Sequence, residues 1–139
     1  MADTFNAEKF GAFLTIPFSK TNLTTGASNE DLLLGSGSTL WVAPAAGSVV
    51  ALSSRSAASI TAGTITASVQ AAGTERTEAA SPVNVLSSAA QTHYDTAAPG
   101  LVSFVAGATL GISVTTTTTL DPTNTLDVDG FLVVQLNPF

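Results

Sequence analysis

A chain of 139 residues with a net charge of −6 and only 10% charged residues suits one domain, of a size that buries roughly two-thirds of the surface its unfolded chain exposes. Its four cations, Lys9, Lys20, Arg55 and Arg76, are too few and too scattered to track a phosphate backbone or an anionic bilayer, so no nucleic acid and no membrane is expected as a partner. Cysteine is absent, which excludes disulfides and thiolate metal sites; a signal peptide is not expected, since the first residues carry Asp3 and Glu8 and no continuous apolar run, nor a spanning helix, since the long uncharged windows are broken by Gly, Ser and Pro.

Residues 1–31 differ in character from the rest of the chain. Four of the seven phenylalanines, Phe5, Phe10, Phe13 and Phe18, lie here together with Leu14 and Ile16, whereas residues 21–31 are polar and turn-forming. The phenylalanines make no clean helical stripe, so the segment reads as an extended N-terminal arm, which at ~3.3 Å per residue is long enough to lie on a neighbouring molecule. The alternative is that it supplies the first strand of the same domain, with the phenylalanines in its core. Leu32-Leu33-Leu34 followed by Gly35-Ser36-Gly37-Ser38 then reads as a short apolar strand or anchor and a flexible joint. Position 40 is Leu where a dinucleotide loop would need a third glycine, and no helix is signalled after it.

From residue 40 the language is that of short strands with small-residue corners. Leu40-Trp41-Val42 is ended by Pro44, and Val49, Val50 and Leu52 form a strand between Gly47 and a Ser/Ala-rich turn around Arg55. Ala62-Gly63 supplies a tight bend. In residues 64–71, Ile65, Ala67, Val69 and Ala71 alternate with Thr64, Thr66, Ser68 and Gln70, the period of a strand with one dry and one wet face. Residues 73–81 read as an exposed hairpin or loop with solvated charges, and Val83, Val85 and Leu86 as a brief strand. Residues 87–100 are the least patterned. They hold Gln91, the single histidine and the single tyrosine at positions 93 and 94, and Asp95, but no nucleophile, base and orienter set accompanies them.

Residues 101–105 make another strand, and in residues 109–115 Leu110, Ile112 and Val114 alternate with Gly111, Ser113 and Thr115. Gly111 marks a bulge or the close approach of another backbone. The β-branched run at residues 115–119 favours extended chain, Asp121-Pro122 turns it, and residues 126–136 form the closing strand or hairpin, with Phe131, Val133 and Val134 as core candidates. Asp127-Val128-Asp129-Gly130 resembles the middle of a calcium loop, but Thr125 and Leu136 stand where the end ligands would be required, so a turn before the last strand accounts for the same residues. No metal or other cofactor is expected.

The strand markers add up to an all-β chain: a jelly-roll-like antiparallel β-sandwich of about eight strands over residues 32–139, preceded by the arm at residues 1–31. The runs VAPAAGSVVALSSRSAASITAGTITASVQAAGT and FVAGATLGISVTTTTTLDPTNTLDVDGFLVVQL resemble the small β-sandwich decoration (cement) proteins of tailed-bacteriophage capsids, over about residues 40–136. That resemblance implies a homotrimer on the outer surface of the virion, at three-fold or quasi-three-fold positions, whose arm grips the major capsid protein. It names no contact residues. The residues themselves put the aromatic and aliphatic anchors in the arm, so Phe5, Phe10, Phe13, Leu14, Ile16 and Phe18 are the expected partner-binding side chains. The expected function is a non-enzymatic structural one, stabilising the shell by bridging neighbouring capsid proteins. The alternative is a carbohydrate- or receptor-binding module of a tail fibre or cell-surface protein, with Gln91, His93 and Tyr94 as its site.

Overall fold

The computed structural model describes residues 12–71, 74–76 and 80–137, and every regular element among them is a strand. In chain order these are β1 (Ala12–Lys20), β2 (Glu30–Asp31), β3 (Trp41–Val42), β4 (Gly47–Ser56), β5 (Ile65–Ala71), β6 (Thr74–Glu75), β7 (Val83–Leu86), β8 (Thr92–Thr96), β9 (Ser103–Phe104), β10 (Thr109–Thr116) and β11 (Val128–Leu136). β2 and β3 both pair with β10, β6 and β7 both with β5, and β8 and β9 both with β4, so each pair fills one strand position in its sheet. The eleven segments therefore amount to eight strands in two antiparallel sheets of four. The first sheet runs β1-β11-β4-β8/β9 and the second β2/β3-β10-β5-β6/β7. First pairs with last, second with second-last, third with third-last, and the middle two with each other. This is the order of a long antiparallel ribbon rolled onto itself, the jelly-roll sandwich that the strand spacing predicts.

The boundary expected at residue 31 is not where the sandwich begins. β1 pairs along its whole length with β11, from Ala12↔Leu136 to Lys20↔Val128, and β2 belongs to the second sheet, so residues 12–31 are part of the domain. Residues 1–11, with Phe5 and Phe10, lie outside the described residues. β1 is also built as an edge. Ser19 exchanges both backbone hydrogen bonds with Leu33, at 2.7 and 2.8 Å, so alternate residues of β1 turn their backbone away from β11. Pro17, which has no N–H to donate, occupies one of these positions and breaks no ladder bond.

Leu52, Leu132 and Val134 of the first sheet meet Ile65, Val69, Leu110, Ile112 and Val114 of the second in a fully buried layer. Each such side chain contributes about 1.5–3 kcal/mol. Val49 and Leu52 are both dry although three apart, because a register shift opposite Val133/Val134 inserts Val50 as an extra residue in β4 and resets the alternation. On β11 the inward residues are Val128, Gly130, Leu132, Val134 and Leu136. Phe131 and Val133, expected in the core, point outward instead; a continuous apolar run does not declare its face. Gly130 takes an inward place where a Cβ would stand 3.0 Å from Ile112 Cδ1.

The expected flexible joint is a folded loop, closed by Leu34 N–H to Ser38 O and Gly37 N–H to Leu34 O, each 2.8 Å. It lies on the outer face of the second sheet, where the Thr39 carbonyl would be 2.6 Å from a Cβ on Gly111. The backbone approach expected at that glycine is thus supplied by residues 33–40. The same cover explains why Gln70, placed on the wet face by alternation, is buried and donates through Nε2 to Asp31 Oδ1 at 2.5 Å.

Gly63 turns the chain into β5 at φ +74°, and an added Cβ would lie 2.6 Å from the backbone N and Cα of Leu120; Gly100 has φ +87° with nothing within 4 Å. Gly100→Ala is expected to lower stability by about 1 kcal/mol, the left-handed penalty alone, and Gly63→Ala by at least about twice that, as measured by urea denaturation.

Candidate functional site

The two ends of the sandwich differ in chemistry. One end is defined by the register Ala12↔Leu136↔Gly47↔Phe104 in the first sheet and by Val42↔Thr109 in the second. Here Trp41 packs edge-on against Phe104, centroids 6.3 Å apart and planes at 89°, closing the core. Around this lid stand Phe13 (64% exposed), Leu14, Val42, Leu101 and Val105 (71% exposed), five of the nine large apolar side chains exposed among the described residues. An exposed apolar grouping of this kind marks an interaction surface more often than isolated residues do. The chain enters β1 at this same end.

The opposite end is polar and stitched. Thr25 N–H donates to Asn124 Oδ1 (2.7 Å), Asn124 N–H to Thr25 Oγ1 (3.1 Å), and Thr116 Oγ1 to Thr24 O (2.5 Å), clasping residues 21–29 to the end of β10 and the segment that follows it. Asn22, Asn29 and Asn124 hold left-handed backbone, which asparagine tolerates better than most residues. Asp127 Oδ1 accepts from Asn22 N–H at 3.0 Å. Asp129 lies in β11 and pairs with Arg55 at 2.5 Å, so the two carboxylates of the calcium-like tetrapeptide serve different elements.

The six side chains expected to bind a partner are divided. Phe13 and Leu14 are exposed at the apolar end, Phe5 and Phe10 lie outside the described residues, and Ile16 (5% exposed) and Phe18 (2% exposed) are core residues of β1. The last two are corrected from anchor to core because alternation along β1 turns them onto Leu132 and Gly130 of β11, under the sheet. No pattern in the sequence marks Val42, Leu101 and Val105 as members of this surface. Residues 101–105 read as one strand, but only Ser103 and Phe104 enter the sheet, and Leu101 and Val105 are left in the turns on either side.

A second surface lies across the outer face of the first sheet, a groove of about 1030 Å³. Two complete cross-strand rows make its floor. One row is Pro17, Phe131, Ser53 and Tyr94; the next is Ser19, Asp129, Arg55 and Thr92. Leu33 and Gly35 bound it beyond β1. Residues 87–100, the least patterned stretch of the sequence, thus contain β8, which carries Tyr94 on its outer side. The inner side of β8 is pinned to the second sheet. Asn84, fully buried on β7, donates through Nδ2 to Leu52 O (3.0 Å), Ser54 Oγ (2.9 Å) and His93 O (3.3 Å), and its Oδ1 is hydrogen-bonded to His93 Nδ1 at 3.0 Å. Asp95 Oδ2 accepts from Val83 N–H at 3.0 Å. His93 and Asp95 are therefore engaged in joining sheets, and Gln91 precedes β8, its carbonyl accepting from Ser56 N–H at 2.9 Å. Of the three residues named for a glycan or receptor site, His93 and Tyr94 line the groove and Gln91 does not; the His93 ring is already engaged by Asn84, and Tyr94 is the more fully exposed aromatic ring.

No protein-family model and no curated protein matches the chain. The functional reading accordingly rests on these two surfaces.

Two stability measurements check the assignments. Ile16→Ala and Phe18→Ala should each lower stability by about 3–4 kcal/mol, against no more than about 0.5 kcal/mol for Phe13→Ala, in chemical denaturation. Asn84→Ala strips the amide from four partners and is expected to cost about 1–3 kcal/mol, read as a lowered thermal midpoint.

Proposed function

We propose that the chain is a non-enzymatic structural protein that decorates the outer surface of a tailed-phage capsid and stabilises it by bridging neighbouring major capsid proteins. The observation that carries this reading is the apolar end. Exposed Phe13, Leu14, Val42, Leu101 and Val105 gather where the chain enters β1, and the sequence just before that point adds Phe5 and Phe10. A chain with so few charges gains solubility by covering such a surface. Seated with that end on the shell, the protein would turn its Thr- and Asn-rich end to solvent, where hydroxyls and amides stay hydrated without charge. Aromatic and aliphatic anchors at the docking end supply the binding energy. The homotrimeric state comes from the resemblance to capsid decoration proteins, whose β-sandwich character this chain shares.

Co-expression of the tagged chain with the major capsid protein of the phage that encodes it, followed by density-gradient sedimentation, tests the proposal. The wild-type chain should travel with assembled shells. Leu101→Asp with Val105→Asp, both at exposed positions and expected to leave the melting midpoint within a few degrees, should return it to the top of the gradient. A wild-type chain that stays at the top would refute the decoration role.

A further inference from the structure

We propose that the groove on the outer face of the first sheet is a binding site for a neutral oligosaccharide. Tyr94, 74% exposed, and Phe131, 45% exposed, stand in one cross-strand row with Ser53 between them. They are two strands apart, roughly 10 Å at the usual inter-strand spacing, a separation suited to linked pyranose rings. The small Ser53 leaves the floor open between the two rings. A pyranose offers an apolar C–H face, which an aromatic ring covers, and a rim of hydroxyls that both donate and accept.

The neighbouring row supplies both kinds of partner for such a rim. Arg55 Nη2 and Asp129 Oδ2 are 2.5 Å apart and solvent-accessible, with Ser19 and Thr92 hydroxyls on either side in the same row. Donor and acceptor are present together and their charges cancel. An anionic ligand would have to compete with Asp129 for Arg55, and a cationic one with Arg55 for Asp129, so charge complementarity selects a neutral polyhydroxyl ligand. A peptide is less well served, because extended peptides are recognised by adding to an open strand edge. The centre of the floor is β11 and β4, each already paired on both sides. The groove lies on a sheet face, apart from the apolar end, so the inference stands independently of the decoration role.

The test uses the intact chain and four probes, maltohexaose, cellohexaose, xylohexaose and chitohexaose, titrated by calorimetry and by amide chemical shifts of the labelled protein. At least one is expected to bind saturably, with shifts confined to β4, β8, β11 and the adjoining part of β1. Tyr94→Ala and Phe131→Ala should each weaken that binding about tenfold or more, while Val85→Ala, exposed on the second sheet, leaves it unchanged. Absence of binding by all four, shifts that map elsewhere, or affinity that survives both aromatic substitutions overturns the proposal. So does occupation of the groove by a synthetic peptide of residues 1–11 when no sugar binds, which would make it a dock for the chain's own leading segment.

Discussion

The fold depends on β11 lying between β1 and β4. Residues 128–136 take one partner from the first twenty residues of the chain and the other from residues 47–56, and without them the first sheet has no centre. Contacts such as Ala12↔Leu136 close almost the whole described chain into one loop. Their loop-closure entropy must be offset by burial of the entire core, so no local fragment is expected to persist alone, and folding should be slow and cooperative. The seam also sets its own side-chain demands. Gly47 sits against the Gln135 carbonyl, where any Cβ would collide with backbone, and Gly130 makes room for Ile112 at the facing sheet.

Three of the eight strands are interrupted, and the interruptions create much of the surface available for function. The excursion at residues 33–40 covers Gly111 and Gln70 and, through Leu33, extends the edge of the first sheet. The one between β8 and β9 leaves after Ala97, bonded to Val50 O, and returns at Val102, whose carbonyl accepts from Val49 N–H; it carries Leu101 to the apolar end. Every strand of a sandwich must place its alternate residues either inside or on a face. Residues in an excursion escape that rule, and they are where apolar side chains can be shown to a partner without weakening the core.

Alternation makes much of the core legible in the sequence alone. Ile65, Ala67 and Val69 are buried as the pattern at residues 64–71 requires, and so are Leu110, Ile112 and Val114. Pattern fails where it is uniform or broken. Residues 131–134 are apolar throughout, so nothing local chooses between Phe131 and Leu132 for the core. At β4 the bulge at Val50 disrupts a two-residue period. In β1 the alternation of Ile16 and Phe18 is present, yet the concentration of phenylalanine before it suggests an arm; only the long-range pairing with β11 decides that these two side chains are interior. The groove is invisible in the sequence for a related reason. Its floor is assembled from β1, β4, β8 and β11, residues far apart in the chain and joined only by register, and no short motif announces such a row.

The pinning of β8 gives the exposed Tyr94 a meaning that its exposure alone would not. An edge strand with a free outer face is ordinarily mobile, and a mobile ring makes a poor binding platform, because ordering it on contact subtracts from affinity. Here the inward neighbours, His93 and Asp95, are tied through Asn84 and the Val83 amide to the second sheet, so the backbone on both sides of Tyr94 is held by hydrogen bonds that cross the sandwich. Asn84 is fully buried, and a buried amide with every partner satisfied fixes geometry rather than merely adding stability. The polar bridge behind the sheet and the aromatic row in front of it thus form one arrangement: the first takes up no surface, and the second is presented, in fixed register with Phe131, on a face that the core leaves free.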